Sequence, residues 1–221
     1  MPDTNSPQFW QTAYQNGATA WDLGGPTPVF CRLAENGQIT SEHALPPGKM
    51  IVPGAGRGYD ARLFARHGFT VTAVDFASDA IREMHLLAEP DAPVAIVKAD
   101  WFDLPPFFEG NFDYVLEYVA YCAINPARRT DYAEVVNWLL KPGGLFIGLM
   151  FPISNHRGGP PFGVSPKEII QSLTIQGFTL MHREYPVDSI KPRAKREELI
   201  ILQKSGEKIH GTLSLPQRTS R

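Results

Sequence analysis

The sequence predicts an α/β fold, with a doubly wound and mostly parallel sheet that helices cover on both faces. Three observations favour this fold. Short apolar runs alternate with segments of helical pattern from residue 49 onwards. A glycine-rich turn follows the first apolar run, and an aspartate ends the second. Strands that alternate with helices are typical of parallel sheets, because each crossover connection lays a helix against the sheet.

Seven strands are predicted, each from a short apolar run bounded by turn residues. They cover Lys49–Val52, Val71–Asp75, Val94–Lys98, Phe112–Leu116, Leu145–Met150, Phe178–Tyr185 and Glu198–Gln203. No helical pattern separates the last two runs. We therefore expect the last strand to be antiparallel to its neighbour.

Four helices are predicted between these strands from apolar spacing and end signals. They cover Asp60–Arg66, Ser78–Glu89, Arg129–Leu140 and Pro166–Gln176. Ser78 is expected to cap the second helix, because a serine hydroxyl accepts hydrogen bonds from the first free backbone N–H groups. Ser165 and Gly177 are expected to bound the fourth helix, and Pro142-Gly143-Gly144 is expected to end the third.

The composition is that of an ordinary globular chain with room for a sizeable core. The chain has 221 residues, 43% hydrophobic and 20% charged, with a formal net charge of −2. We expect no nucleic-acid partner, because phosphate binding needs a basic surface. The chain has only two cysteines, and no apolar run approaches the roughly 20 residues needed to span a bilayer. Its N-terminus does not have the pattern of a secretory leader. We therefore expect a cytoplasmic protein without a membrane partner.

One domain is predicted over residues 1–204. It comprises an N-terminal segment at residues 8–45 and an α/β core at residues 48–204, and a polar tail follows at residues 205–221. We expect a monomer that acts on a small molecule. The six histidines are scattered and no cysteine pair accompanies them, so no metal site is predicted.

The strongest local signal is the glycine-rich turn Gly54-Ala55-Gly56-Arg57-Gly58 after the first strand. Glycines let the backbone turn tightly and approach a ligand closely. A dinucleotide fingerprint would place a third glycine at position 59, where this chain has Tyr59. The turn therefore fits a nucleoside better than a pyrophosphate and argues against a nicotinamide-dependent oxidoreductase. It could also be a simple turn without a ligand.

Two acidic residues follow neighbouring strands of the predicted sheet. Asp75 ends the second strand, where a carboxylate can accept hydrogen bonds from both ribose hydroxyls. Asp100 follows the third strand, and its carboxylate or the backbone of Trp101 is placed to meet an adenine amino group. The alternative for Asp75 is that it caps the following helix. Open α/β sheets bind ligands at the carboxyl ends of their strands, so these residues and the glycine turn predict one nucleoside site.

Several motifs resemble a known family. The glycine turn with Asp75, and Leu140-Lys141-Pro142-Gly143-Gly144, resemble class I S-adenosylmethionine-dependent methyltransferases. Three further stretches are similar to the thiopurine methyltransferase-like family, and within it to thiol and halide methyltransferases. They are Trp10-x3-Tyr14-x6-Trp21-Asp22-x-Gly24, Glu117-Tyr118-Val119-Ala120-Tyr121-Cys122-Ala123-Ile124-Asn125-Pro126-x2-Arg129 and Gly158-Gly159-Pro160-Pro161-Phe162. The resemblance covers residues 8–204.

The resemblance implies a Rossmann-like, seven-stranded sheet with an antiparallel last strand, S-adenosylmethionine as cofactor, and an N-terminal segment that acts as a lid over it. By the same resemblance, the cofactor contacts comprise Trp10, Tyr14 and Trp21 on the lid, Gly54 and Gly56 in the loop, Asp75 at the ribose, Asp100 and Trp101 at the adenine, and Glu117 and Tyr118 beneath the methionine end. Glu117 to Tyr121 depart from the family's more usual residues on the substrate side.

The chemistry expected of such a site is methyl transfer to a small nucleophile, most of all a thiolate or a halide. Aromatic faces attract a sulfonium cation by about 0.5 to 2 kcal/mol each, and a thiol is partly ionised near neutral pH. Such an enzyme can therefore lack a dedicated base. The alternatives are O- or N-methylation of a small heterocyclic metabolite, or a non-catalytic cofactor-binding module.

Three residues are candidates for direct roles toward the acceptor. Tyr118 and Tyr121 follow the fourth strand and are expected near the acceptor as hydrogen-bond donors or walls; burial in the core is the alternative. Asp22 could accept a proton from a neutral acceptor, or it could cap a turn.

Overall fold

The computed structural model describes residues 3–156 and 158–206. Its elements in chain order are α1 (Pro7–Gln15), α2 (Pro28–Asn36), β1 (Gln38–Thr40), β2 (His43–Ala44), β3 (Lys49–Pro53), α3 (Tyr59–Arg66), β4 (Thr70–Asp75), α4 (Ser78–Leu86), β5 (Val94–Lys98), β6 (Phe112–Tyr118), α5 (Arg129–Leu139), β7 (Leu140–Met150), α6 (Pro166–Ile175), β8 (Phe178–Glu184) and β9 (Glu198–Lys204).

The main sheet has seven strands in the order β5-β4-β3-β6-β7-β9-β8. Strands β3 to β7 pair in parallel, and β9 runs antiparallel to both β7 and β8. The predicted doubly wound fold and its antiparallel last strand are confirmed. The strand order reverses between the neighbouring strands β3 and β6, because the chain runs outwards from β3 to β5 and then returns to β6 beside β3. Open sheets of this kind form a ligand crevice at such a point.

Two apolar clusters cover the two faces of the sheet. Alternation along β3 separates them, because neighbouring side chains of a strand point to opposite faces. Met50 packs in the cluster that contains Phe64 of α3, whereas Ile51 packs in the cluster that contains Val136 of α5. All four side chains are buried.

The fifth predicted strand begins earlier than expected. The structure starts β7 at Leu140, and the pairing with β6 shifts between Leu140 opposite Phe112 and Leu145 opposite Tyr114. Pro142-Gly143-Gly144 therefore forms an irregularity inside the strand and does not separate the helix from it. A bulge of this kind adds residues to one strand and leaves the rest of the ladder in register.

The predicted cap of the second helix is also wrong. Ser78 is the first residue of α4, and the N-cap is Ala77. The hydroxyl of Ser78 accepts a hydrogen bond from Nζ of Lys98 at 2.6 Å. The N–H of Ala77 donates to Oδ1 of Asp75 at 2.9 Å, so the aspartate supplies the bond at this turn.

The N-terminal segment consists of two helices and a small hairpin that sequence periodicity did not predict. Two of its contacts with the core involve α4 and α3. Gln11 of α1 hydrogen-bonds to Asp79 of α4. The N–H and hydroxyl of Thr27 donate to the two carboxylate oxygens of Asp60 at 2.7 and 2.9 Å. These contacts bring the segment over the carboxyl ends of β3 and β4.

Within the described residues, no helix combines the length and the apolar character needed to cross a membrane. The predicted polar tail begins at residue 205, and its residues 207–221 lie outside the part of the chain that the structure describes.

Candidate functional site

Two adjoining cavities lie at the carboxyl ends of β3, β4, β5 and β6. Their volumes are about 680 and 590 Å³, including the open solvent at their mouths. The first is lined by Thr4, Asn5, Trp10, Tyr14, Trp21, Gly54, Gly56, Asp75, Phe76, Asp100, Trp101, Phe102, Val119, Ala120, Ala123, Ile124 and Arg128. The two cavities share Trp21, Gly54, Gly56 and Val119.

The glycine turn forms the floor where the cavities meet. Gly54 has a φ of 62°, and a Cβ there would lie 2.7 Å from Cζ3 of Trp101 and 2.9 Å from Cβ of Ala120. Gly56 has a φ of 56°, and its Cβ would lie 3.2 Å from the hydroxyl of Tyr14. Both the backbone conformation and the lack of space therefore require glycine at position 54.

Asp75 borders the first cavity from the end of β4. Its Oδ2 accepts from the N–H of Gly56 at 3.0 Å, and its Oδ1 accepts from Ala77. Burial raises the pKa of Asp75 to about 6, although these backbone hydrogen bonds act to lower it. Each carboxylate oxygen keeps a further lone pair. The residue therefore both fixes the turn, as the helix-cap alternative proposed, and presents acceptors to the cavity.

The far wall of the first cavity follows β5. Oδ1 of Asp100 accepts from the N–H of Phe102 at 2.9 Å, which fixes the turn that carries Trp101. The indole N–H of Trp101 is buried and finds no hydrogen-bond partner among the described residues. The guanidinium of Arg128 lies 3.6 Å from the ring centre of Phe102. This wall thus presents flat aromatic surface to the cavity.

The three aromatic residues predicted on the N-terminal segment lie together at the first cavity. The ring of Trp21 meets those of Trp10 and Tyr14 edge to face at 5.5 and 5.7 Å. Trp21 lines both cavities. Its indole therefore lies at the junction of the two cavities, where it would contact a ligand that extends from one cavity into the other.

Tyr118 ends β6 and lines the second cavity. Its hydroxyl donates to Oε2 of Glu197 at 2.9 Å and accepts from Nη1 of Arg193 at 2.5 Å. Burial, with the nearby charge of Glu197, raises its pKa above the ordinary range. The hydroxyl is therefore occupied by protein groups, and Tyr118 presents its ring to the cavity as a wall.

Glu117 and Tyr121, which were predicted to contact cofactor and acceptor, line neither cavity. Oε1 of Glu117 accepts from the N–H of Tyr121 at 2.7 Å, and Oε2 accepts from the hydroxyl of Tyr132 at 2.6 Å. Burial raises the pKa of Glu117 to about 7. Tyr121 packs on Tyr132 with ring centres 5.2 Å apart. Side chains alternate along β6, so Glu117 points to the face opposite Tyr118, and the buried alternative holds for Tyr121.

Asp22 lines the second cavity, but its carboxylate is engaged. It forms an ion pair with Arg57 of the glycine turn and accepts from the N–H of Gly24 at 2.6 Å. The hydrogen bond from Gly24 is the turn cap, which was the alternative to a proton-accepting role for Asp22.

Two residues that line the cavities escaped the sequence analysis. Val119 lines both cavities with a φ of 58°, a conformation that is rare for a β-branched residue. No sequence signal marks this conformation. Arg57 lines the second cavity and joins Asp22 to Glu83 of α4. Its place inside the glycine turn was a usable signal. Within residues 3–156 and 158–206, no group of three or more His, Cys, Asp or Glu side chains is placed to hold a metal ion.

The fold itself places the chain in a class. It superposes on the solved structure of 1,6-didemethyltoxoflavin-N1-methyltransferase from Burkholderia thailandensis, which has 1,6-didemethyltoxoflavin and S-adenosylhomocysteine bound, with a TM-score of 0.68 and 23% identity. The match covers 90% of this chain and 87% of that one. The fold is that of a Rossmann-like methyltransferase.

Family membership follows from the sequence comparison. The model of the thiopurine S-methyltransferase family matches residues 5–210, and this chain belongs to that family. It is therefore a methyltransferase, as the motifs predicted.

Among its relatives is the probable thiol methyltransferase 2 of Arabidopsis thaliana, which is 35% identical over 95% of this chain and 90% of that protein. Another is the thiocyanate methyltransferase 1 of Brassica oleracea, which is 33% identical over 90% of this chain and 86% of that protein.

Proposed function

We propose that this enzyme transfers the methyl group of S-adenosylmethionine to a small thiol, or to a related small anion such as thiocyanate or a halide. The observation that carries the proposal is the junction of the two cavities, where the glycine turn, Asp75 and Trp21 converge. The thiol and thiocyanate methyltransferases among the relatives support this choice of acceptor.

The first cavity fits the nucleoside part of the donor. Asp75 would accept the ribose hydroxyls through the free lone pairs of its carboxylate. The carboxylate of Asp100 or the backbone of Trp101 would meet the adenine amino group, and the ring of Trp101 would form a wall of the adenine site.

The cavity junction fits a positively charged centre. When bound there, S-adenosylmethionine supplies an electrophilic methyl group on a sulfonium ion. The rings of Trp10, Tyr14 and Trp21 would attract that charge by about 0.5 to 2 kcal/mol each, and they would also exclude water. Gly54 allows this close approach because it has no Cβ.

The second cavity would hold the amino-acid end of the donor beside the glycine turn and the acceptor beside Tyr118. A thiol with a pKa of about 8.5 is partly ionised at neutral pH, so the site needs to position the thiolate more than to deprotonate it. The rings of Tyr118 and Phe30 provide an apolar wall. A poorly hydrated surface favours the reaction of an anion with a cation, because charge disappears as they combine.

The test is a methyl-transfer assay with the purified protein. S-adenosylmethionine would be offered with hydrosulfide, a simple alkyl thiol, thiocyanate, iodide, a heterocyclic thiol, a hydroxyl-bearing heterocycle and an amino-bearing heterocycle. The methylated products would be measured by chromatography with mass spectrometry. We expect turnover with at least one of the sulfur acceptors. Turnover of a heterocyclic oxygen or nitrogen acceptor alone would replace this proposal with the alternative acceptor class.

Calorimetry with S-adenosylhomocysteine tests the donor site separately. The Asp75→Ala variant should bind it about a hundredfold more weakly, because two buried hydroxyls lose a charged acceptor. A wild-type protein that binds neither S-adenosylmethionine nor S-adenosylhomocysteine would overturn the proposal.

A further inference from the structure

Residues 16–26, between α1 and α2, contribute Trp21 to the lining of both cavities and Asp22, Leu23 and Gly25 to that of the second; we call this segment the strap. It begins after the contact of Gln11 with Asp79 and ends at the contact of Thr27 with Asp60. Both ends of the strap are therefore attached to the core. Gly17 and Gly24 lie near its two ends with positive φ angles and open space around them.

The middle of the strap is held from two opposite sides by arginines. Nη2 of Arg193 donates to the backbone oxygen of Trp21 at 2.8 Å. Arg57 pairs with the carboxylate of Asp22, the next residue along the strap, and Nη1 of Arg57 also lies 3.4 Å from the hydroxyl of Thr19. Trp21 and Asp22 are thus bonded to the glycine turn on one side and to the segment before β9 on the other.

Each arginine is itself fixed by contacts outside the strap. Arg57 also pairs with Glu83 of α4, and its guanidinium lies 5.6 Å from the ring centre of Tyr14. Arg193 is buried, and its guanidinium lies 4.6 Å from the ring centre of Phe151 while it donates to Tyr118. The two side chains therefore hold one preferred position for the strap.

We propose that Arg57 and Arg193 are positioning residues that clasp the strap and hold Trp21 over the cavity junction, and that the Arg57–Asp22 pair must open before the nucleoside product can leave. This inference rests on the proposed function, because the departing product is S-adenosylhomocysteine. It assigns to Asp22 a role in closing the site and not in accepting a proton.

The two halves of the clasp differ in strength. The Arg193 side is buried, whereas the side chains of Arg57 and Asp22 are 23% and 10% exposed. An ion pair that reaches solvent is weakened by salt and exchanges more readily than a buried one. The Arg57–Asp22 pair is therefore the half that opens, and the Arg193 side acts as the hinge.

The test measures dissociation of S-adenosylhomocysteine by stopped-flow tryptophan fluorescence in the full-length protein. Arg57→Met and Asp22→Asn should each raise the dissociation rate about tenfold, as truncation of a charge pair acts mainly on this rate. The double variant should dissociate no faster than the single variants, because both changes remove the same contact. Arg57→Lys, which keeps the charge but loses the planar fork, should fall between wild type and Arg57→Met.

Arg66→Met is the matched control, because it removes another partly exposed ion pair, the one between Arg66 of α3 and Glu89. It should leave the dissociation rate unchanged. Raising the salt concentration should speed dissociation from the wild type and have little effect on the double variant. The clasp proposal would be overturned if the dissociation rates of the single variants equalled that of the wild type. It would also be overturned if the increase in the double variant equalled the product of the two single increases.

Hydrogen exchange separates failure of the clasp from failure of the proposed function, because it needs no ligand. In the free protein, Arg57→Met should speed exchange of the amides of residues 16–25 but not those of β3 or β4. If the wild type bound no nucleoside but this local change appeared, the proposed function would fail and the clasp would stand as a structural contact. Exchange that is unchanged in the strap would count against the clasp itself.

Discussion

The carboxyl ends of β4 and β6 each carry a buried acid whose pKa burial raises, to about 6 for Asp75 and about 7 for Glu117. Asp75 faces the first cavity, while Glu117 faces neither cavity. The first acid presents acceptors to the cavity, and the second uses one oxygen to hold the turn after β6 and the other to bind Tyr132 of α5.

Side-chain alternation explains the difference. Asp75 is the last residue of β4, so its carboxylate folds over the strand end toward the N–H of Gly56. Glu117 is the residue before the last in β6, and Tyr118 takes the terminal place. Neighbouring residues of a strand point to opposite faces, which directs Glu117 to Tyr132 of α5. An acid at a strand end thus identifies the edge of the sheet but not the face.

The largest expected effect is on stability at the β6 end. Glu117→Ala should lower the free energy of unfolding by about 3 kcal/mol, because two buried donors lose their acceptor and a cavity forms. Urea denaturation followed by circular dichroism measures it. Asp75→Ala should lose less stability, because its two backbone donors border a cavity that water can enter. Equal losses in the two variants would remove the distinction between a structural and a ligand-facing acid.

The glycine between the two strand ends is expected to control binding. Gly54→Ala should weaken S-adenosylhomocysteine binding about a hundredfold, which corresponds to roughly 2.7 kcal/mol, since the new Cβ would displace Trp101 or Ala120. Gly143→Ala is the control: it has a φ of 80° but open space around the added Cβ. It should lose similar stability from the backbone conformation and leave affinity unchanged. Calorimetry that shows equal affinities for the two variants would contradict the close approach at Gly54.

Much of this arrangement was accessible from the sequence. Apolar runs predicted seven strands and the antiparallel last pairing, because strand periodicity reports burial directly. The turn Gly54–Gly58 and Asp75 were predicted at one edge of the sheet, and the structure brings them together there with Trp101. The family motifs placed Trp10, Tyr14 and Trp21 in one group, and the structure places all three at the first cavity.

Other features depend on tertiary contacts that periodicity does not report. The face of Glu117 depends on where β6 ends, and strand ends are uncertain by one or two residues. The left-handed conformation of Val119 contradicts its local preference and exists only because the surrounding fold imposes it. The early start of β7 depends on pairing with β6 across Pro142-Gly143-Gly144. The partners of Asp22 depend on the packing of the strap against the glycine turn.

The pH dependence of binding distinguishes the two acids further. Ribose hydroxyls would favour the ionised form of Asp75, so affinity for S-adenosylhomocysteine should fall as the pH drops through about 6, by about tenfold per unit below that value. In the free protein the sign reverses. The folded state takes up the proton more readily than the unfolded state, so the Asp75 contribution to stability grows as the pH falls from about 6 to 4.

Calorimetry between pH 5 and pH 8 measures this dependence. Asp60, whose pKa burial also raises to about 6, lines the second cavity and titrates in the same range. The Asp75→Asn variant separates the two groups: it should bind weakly at every pH and lose most of the slope. A slope that persists in Asp75→Asn would assign the titration to Asp60 or to Glu117, whose pKa is about 7, and not to the ribose site.

The smallest expected effect concerns the turn that Glu117 holds. Val119→Gly should leave the free energy of unfolding within about 1 kcal/mol of the wild type. Glycine removes the cost of the left-handed conformation, which is roughly 1–2 kcal/mol for a residue with a Cβ. This gain offsets the loss of side-chain packing and the greater entropy of the unfolded chain. Val115→Gly in the same strand is the matched control. Val115 is fully buried and extended, so its loss should cost about 3 kcal/mol or more. If Val119→Gly were as destabilising as Val115→Gly, the turn after β6 would be held by its own side-chain packing, and the hydrogen bonds of Glu117 would not be what imposes its conformation.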